Sequence, residues 1–187
     1  MKIRISKNWE YYSDRYKSLR GLLVFLLLSG VIVGLWKLFH IDEVLYGFLM
    51  PAQKFLISFQ APVTHWIVTN IFRIPATFNT DTLYFQNNQA LQEQPLCTAL
   101  KQVIQMTLIL LFCRGSWRKK FWYIPLSSIL LLIAAIFHLV LLALTLSKFP
   151  EHYSFMHNYI SRWFFFGIYF LIWIFWEENF SNKSVLT

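Results

Sequence analysis

The chain is poor in charge and in cysteine. Only 14% of its 187 residues are Asp, Glu, Lys or Arg, against about 25% in an ordinary soluble domain. That shortage argues against a water-facing surface of the usual kind. Its two cysteines, Cys97 and Cys113, stand 16 residues apart on one predicted helix. A rise of about 24 Å puts them far beyond disulfide reach, so neither is a staple for the other. The histidines and cysteines show no metal-ligand spacing, and nothing in the chain implies a cofactor. There is no internal repeat, no low-complexity tract and no carboxylate within the apolar stretches, which speaks against a proton-coupled carrier. The net charge of +8 comes with no aromatic-basic platform, so a nucleic-acid partner is excluded too.

What the chain does have is apolar length. Hydrophobic residues make up 57%, with Phe (19), Tyr (9) and Trp (8) heavily used. Four stretches are candidate spans: 21–36, 98–113, 121–147 and 158–176. A spanning helix needs about 20 residues, so the second is short and its polar start, TALKQ, belongs at the surface or inside the bundle. The first follows a basic segment with no small-residue cleavage site, as an uncleaved anchor does. The charge is topological. Six of the 17 Lys and Arg fall within residues 1–20 and four more in RGSWRKK (114–120). Basic excess in short loops marks the cytoplasmic side. Residues 1–20, 114–120 and 177–187 are therefore expected inside, and 40–97 and 148–157 outside. These last two segments hold three Lys or Arg between them.

The fold class expected is an all-α polytopic membrane protein forming a single membrane domain over 1–187. It has about four transmembrane helices, an outer-leaflet amphipathic segment and a short extracytoplasmic hairpin. Residues 43–72 are apolar at helical spacing but carry Pro51 and Pro62, which kink or end helices. They read as one or two amphipathic helices on the outer leaflet, or as a re-entrant hairpin. Residues 74–96 have the alternating, turn-rich look of the hairpin.

Cys113 ends an apolar run beside Arg114 and reads as a buried small hydrophobe. Cys97 opens a predicted helix at the outer face in PLCTALKQV. It is either another small hydrophobe or a nucleophile. A helix N-terminus favours the thiolate, and Lys101 adds positive charge one turn on, on nearly the same face. On the expected topology His157 stands level with Cys97. His138 lies inside the third span, about 15 Å from its outer end at Ser147. An intramembrane ionisable residue faces a bundle interior or cavity and is a functional hypothesis. The plainer account of His138 is an interhelical hydrogen bond, to Ser127 or to a neighbour's backbone carbonyl. His40, His65 and His152 read as interfacial side chains.

These residues resemble the exosortase/archaeosortase family, polytopic membrane proteins with sortase-like chemistry on an unrelated fold. Members carry a Cys at the outer start of one helix, an Asn-x-x-Arg element in the next and a His opening the helix after that. The matching stretches are PLCTALKQ, AIFHLVLLAL (135–144) and FMHNYISRWFFFGIYFLIWIFWEENF (155–180), and the last is similar to the small Bacteroidetes-type members. The spacings are 41 residues from 97 to 138 and 19 from 138 to 157. Where the family has Asn and Arg, this chain has Ala135 and His138. The resemblance implies Cys97 as nucleophile and His157 as general acid/base, with His138 in the place of the family Arg. Lys101 and Arg162 are the nearby basic residues that would compensate.

The implied activity is a cysteine transpeptidase or peptidase acting on C-terminal sorting signals of exported proteins. The implied location is the bacterial cytoplasmic (inner) membrane, with both termini cytoplasmic and the site facing the periplasm. His138 would be a poorer electrostatic partner than arginine, which stays protonated. A slow enzyme, a differently specialised one, or a fold without the reaction would follow. The competing class is a non-catalytic membrane subunit that keeps the scaffold and binds a partner in a membrane complex, since Trp and Phe anchor interfaces.

Overall fold

The computed structural model describes residues 3–92 and 98–181. Helix α1 runs from Ile3 to Leu38, so it begins well inside the basic segment rather than at residue 21. Helix α2 is Ile41–Trp66 and widens into a π-helical segment, Ile67–Ile71. Strands β1 (Ala76–Asn79), β2 (Thr82–Phe85) and β3 (Ala90–Gln92) follow. Helices α3 (Leu100–Phe112) and α4 (Trp117–Lys148) come next. The last arm starts with a 3₁₀ turn, Pro150–His152, a short α5 (Tyr153–Phe155) and a π-turn, Met156–Ile160. It continues as α6 (Ser161–Trp176) and closes in a second π-turn, Glu177–Ser181.

Three helical stretches are long and apolar enough to cross a membrane: Gly21–Leu38, Trp117–Lys148 and Pro150–Phe180. The predominantly helical, membrane-type character expected from composition is therefore present. Helix α3 is too short by itself. Its 13 residues rise about 20 Å, against a hydrocarbon core of about 30 Å. The outward faces match a lipid solvent, with Leu27, Val31, Phe121, Ile133, Trp163 and Leu171 all more than half exposed.

Several expected boundaries move. Helix α2 passes through both prolines without breaking. In membrane proteins a helix can run through a proline where surrounding groups take up the carbonyl it frees. Its polarity is inverted: Gln53, Gln60 and Thr64 are buried, while Phe48, Phe55, Phe59 and Trp66 face outward. The expected loop at 114–120 is mostly helix, because α4 starts at Trp117. The expected outer loop at 148–157 is almost wholly helical as well, since Pro150 opens a new helix at a position where its missing N–H costs nothing.

At one end of the bundle the chain is clamped tightly. Helix α3 ends without an intrahelical partner for its last carbonyls. Lys120 folds back, and its Nζ donates to Leu111 O at 2.7 Å and Cys113 O at 2.6 Å. Trp176 Nε1 donates to Arg114 O at 3.0 Å, and Tyr123 OH to Ile172 O at 2.7 Å. Phe25 of α1 stacks on Trp173 of α6 with ring centroids 4.9 Å apart. Together with Met106, Leu110 and Leu131 these rings form the main core.

At the other end the three strands form an antiparallel meander in the order β1-β2-β3. The sequence suggested one hairpin over 74–96, and the chain makes two successive ones within 76–92. The register pairs Phe78 with Leu83 and Leu83 with Leu91. The two-residue period of a strand points Leu83 and Phe85 inward and Tyr84 outward. The buried side packs on Val140, Leu142, Ala143 and Leu146 of α4. Asn87 Nδ2 then donates to Leu146 O at 3.0 Å and Ser147 O at 3.2 Å, capping α4.

Candidate functional site

A cavity of about 470 Å³ opens inside the bundle. Helix α1 contributes Ser29, Gly30 and Val33 to its wall, α3 contributes Gln102 and Gln105, and α4 contributes His138. The final arm adds His157, Ser161, Arg162, Phe166 and Tyr169. Two of the three residues expected from sequence, His138 and His157, are thus brought to one wall from different helices. The third, Cys97, lies outside the described residues. Its neighbours are placed: Thr98 is buried, and its carbonyl accepts from Gln60 Nε2 at 3.4 Å. Ala99 caps α3 in the left-handed conformation at φ 59°. The helix therefore starts at Leu100, two residues later than expected.

His138 is buried against Phe164 and Phe165, with ring centroids 5.8 and 5.3 Å away. Its Nε2 is hydrogen-bonded to Ser161 Oγ. Ser127, the partner suggested from sequence, instead donates to Ile124 O at 2.8 Å within its own helix. Ser161 donates its hydroxyl proton to Met156 O at 3.0 Å. With that proton committed, the Ser161 oxygen accepts, and His138 donates from Nε2. Met156 is the first residue of the π-turn that carries His157. His138 therefore braces the turn on which the second histidine sits.

His157 stacks on Tyr153 with centroids 5.8 Å apart. Its Nδ1 is buried and has no hydrogen-bond partner. π-turns of this kind are frequent at functional sites, and an unpaired buried ring nitrogen is costly enough to need an explanation. Gln102, another lining residue, also has a buried and unpartnered atom, its Oε1. Gln105, by contrast, accepts from Tyr169 OH at 3.3 Å.

The two compensating cations separate clearly. Arg162 lines the cavity. Lys101 does not: its Nζ stands over the Trp36 ring, 5.6 Å from the centroid, in a cation–π geometry. Cys113 is buried at the far end of α3, as expected, and unpaired. Among the described residues no three His, Cys, Asp or Glu side chains converge as metal ligands would.

No family model, no curated protein and no solved structure matches this chain. What the site does must be argued from its own chemistry. The lining residues bring two imidazoles, one cation, two amides, two serine hydroxyls and one phenol among apolar side chains. That set can move a proton and bind a polarised carbonyl.

The sequence reading missed Ser161, Gln102, Gln105 and Tyr169. Only the glutamines left a signal, as polar residues in the first turns of an apolar segment.

Proposed function

We propose that this chain is an exosortase/archaeosortase-like membrane cysteine transpeptidase or peptidase acting on C-terminal sorting signals of exported proteins. The observation that carries it is the meeting of His157, with a buried unpartnered Nδ1, and Arg162 on one cavity wall. Gln102 of the same wall is only five residues along the chain from Cys97. In this scheme α3 and its flanking residues make the second of four crossings. Both termini lie in the cytoplasm and the cavity faces the periplasm of the inner membrane. Segment 40–97 stays on the outer side.

Cys97 is the nucleophile. His157 takes its proton, and the thiolate adds to a backbone carbonyl carbon, putting negative charge on the oxygen. That intermediate collapses with cleavage of the C–N bond. The departing nitrogen receives the proton from His157, leaving a thioester on Cys97. An amine or water then attacks the thioester, His157 accepting its proton, and the thiol is regenerated. Arg162 holds the oxyanion, a contact worth about 3–4 kcal/mol. His138 acts as a positioning residue through Ser161, because its Nε2 proton is already committed there.

One feature favours a second function. The outward row Phe48, Phe55 and Phe59 on α2 would suit a non-catalytic subunit packed against a partner helix.

The two separate on the reactivity of Cys97 toward a membrane-impermeant maleimide, followed against pH in a Cys113→Ala background. An enzyme shows fast labelling with an apparent pKa well below about 8.5, and loses that advantage in His157→Ala. Slow labelling that is indifferent to His157 rejects the catalytic function.

A further inference from the structure

The outward face of α2 carries one apolar stripe. Phe48, Phe55, Phe59 and Trp66 are all exposed, and spacings of 7, 4 and 7 residues put them on one side of the helix. The π-turn that follows bonds i to i+5, which brings the exposed Ile71 round to nearly above Trp66. Phe72, exposed as well, ends the stripe. A contiguous apolar patch of this kind marks a surface that meets another apolar phase, and the next residue is Arg73.

Two hydrogen bonds turn the chain here from helix toward sheet. Phe72 N–H donates to Ile67 O at 3.3 Å and Ile74 N–H to Val68 O at 3.1 Å. Arg73, between them, takes the left-handed conformation at φ 54°. It thereby lines a groove of about 690 Å³, shared with Pro75, Thr77, Tyr84 and Gln86 of the meander. Thr77 and Tyr84 stand opposite each other across β1 and β2. Arg73, Thr77, Tyr84 and Gln86 are exposed, so an occupant of the groove can reach them. Among the described residues none of these four side chains has a hydrogen-bond or ion-pair partner. Between residues 44 and 92 the chain holds one carboxylate, Asp81. It sits in the turn at the far end of β1 and β2, accepting from Thr82 Oγ1 at 2.9 Å. An unneutralised guanidinium with hydroxyl and amide donors therefore stands where an apolar face gives way to a polar one.

We infer that this groove seats the phosphate of a membrane phospholipid, whose acyl chains lie along Phe59, Trp66 and Ile71. The inference is independent of the catalytic function proposed above. Charge and shape select the occupant together. A phosphodiester brings one negative charge and only acceptors, which match the donor fork of arginine. A free phosphate would leave the apolar stripe uncovered, and a diacylglycerol would leave Arg73 unpaired. Tryptophan at the edge of an apolar face, with a cation just beyond it, is the arrangement found at headgroup level. The space lies within the usual range for a small ligand, about 300–1,000 Å³.

The test uses the full chain in dodecyl maltoside, a detergent without phosphate. The probe is phosphatidylglycerol carrying a diazirine near the carboxyl end of one acyl chain, and crosslinks are mapped by mass spectrometry. Crosslinks are expected within residues 66–86. Unlabelled dioleoylphosphatidylglycerol should displace them, while dioleoylglycerol and glycerol 3-phosphate at the same concentration should not. Arg73→Gln should lower them at least about fivefold. Arg73→Lys, which keeps the charge without the fork, should lower them less. Arg118→Gln, in the basic cluster at the other end of the bundle, should leave them unchanged. If Arg73→Gln is not monodisperse, Thr77→Val combined with Tyr84→Phe replaces it, with a fall of at least about threefold expected. Labelling within 66–86 that ignores these groove substitutions, or that dioleoylglycerol displaces equally well, overturns the inference, because the stripe then holds lipid without reading its phosphate. Displacement by glycerol 3-phosphate as effective as by the lipid also overturns it, in favour of a site for a soluble anion.

Discussion

Gly115 is the residue whose replacement should cost most for the fewest atoms. It lies in the short turn between α3 and α4 at φ 142°, a region that residues with a Cβ rarely adopt. A Cβ there would stand 2.6 Å from Trp176 Cζ2 and 3.3 Å from Cε2. The neighbour is the edge of an indole ring held by its own hydrogen bond to Arg114 O, so it has little room to retreat. The backbone contributes about 1–3 kcal/mol and the overpacking about 1–3 kcal/mol, so Gly115→Ala should destabilise the protein by about 4 kcal/mol. Equilibrium unfolding in mixed micelles, followed by tryptophan fluorescence, measures it. A double-mutant cycle separates the two contributions. In a Trp176→Phe background the ring that meets the Cβ is smaller and free to shift. The cost of Gly115→Ala should then drop to the backbone part alone, leaving a coupling of about 2 kcal/mol. Strict additivity, or a cost below about 1 kcal/mol, would refute this account of the turn.

Three other outcomes follow from the geometry. Ser161→Ala strands the Nε2 proton of His138 and should cost about 1–3 kcal/mol of stability. It should also slow Cys97 labelling through the displaced π-turn, and Ser161→Thr, which keeps a hydroxyl, should restore both. Acylation of the thiol by p-nitrophenyl acetate, read as the nitrophenolate burst, should fall about 10²–10³-fold in Arg162→Gln. Lys101→Gln should change it by less than about threefold, since that lysine stands over Trp36 outside the cavity; the reverse ranking would reassign the oxyanion contact. Lys120→Met keeps the buried stem but uncaps Leu111 O and Cys113 O. Charge-assisted bonds are worth about 1.5–3 kcal/mol each, and release of a buried cation returns part of that. A net loss of about 2 kcal/mol is expected in the same unfolding assay, and no loss would mean that water replaces the cap.

Apolar runs of membrane length, the basic clusters beside them and the alternation before Cys97 could all be read along the chain, because each is a local property of consecutive residues. They were enough for a helical membrane protein and for a turn-rich, alternating segment within 74–96, though one hairpin was expected there and two are formed. The same local reading went astray at Pro51 and Pro62. Whether a freed carbonyl finds a new partner depends on helices elsewhere in the chain, and α2 continues through both. It also took RGSWRKK for a loop, although Lys120 is drawn under the end of α3 by carbonyls that only the folded turn presents. His138 and His157 were legible as an unusual pair in apolar surroundings. That they share a wall with Ser161, Gln102 and Arg162 was decided by how α1, α3, α4 and the final arm pack. Composition and periodicity report what each segment needs to bury. Which side chains come to share one cavity depends on contacts between residues far apart in sequence, and those exist only once the helices are side by side.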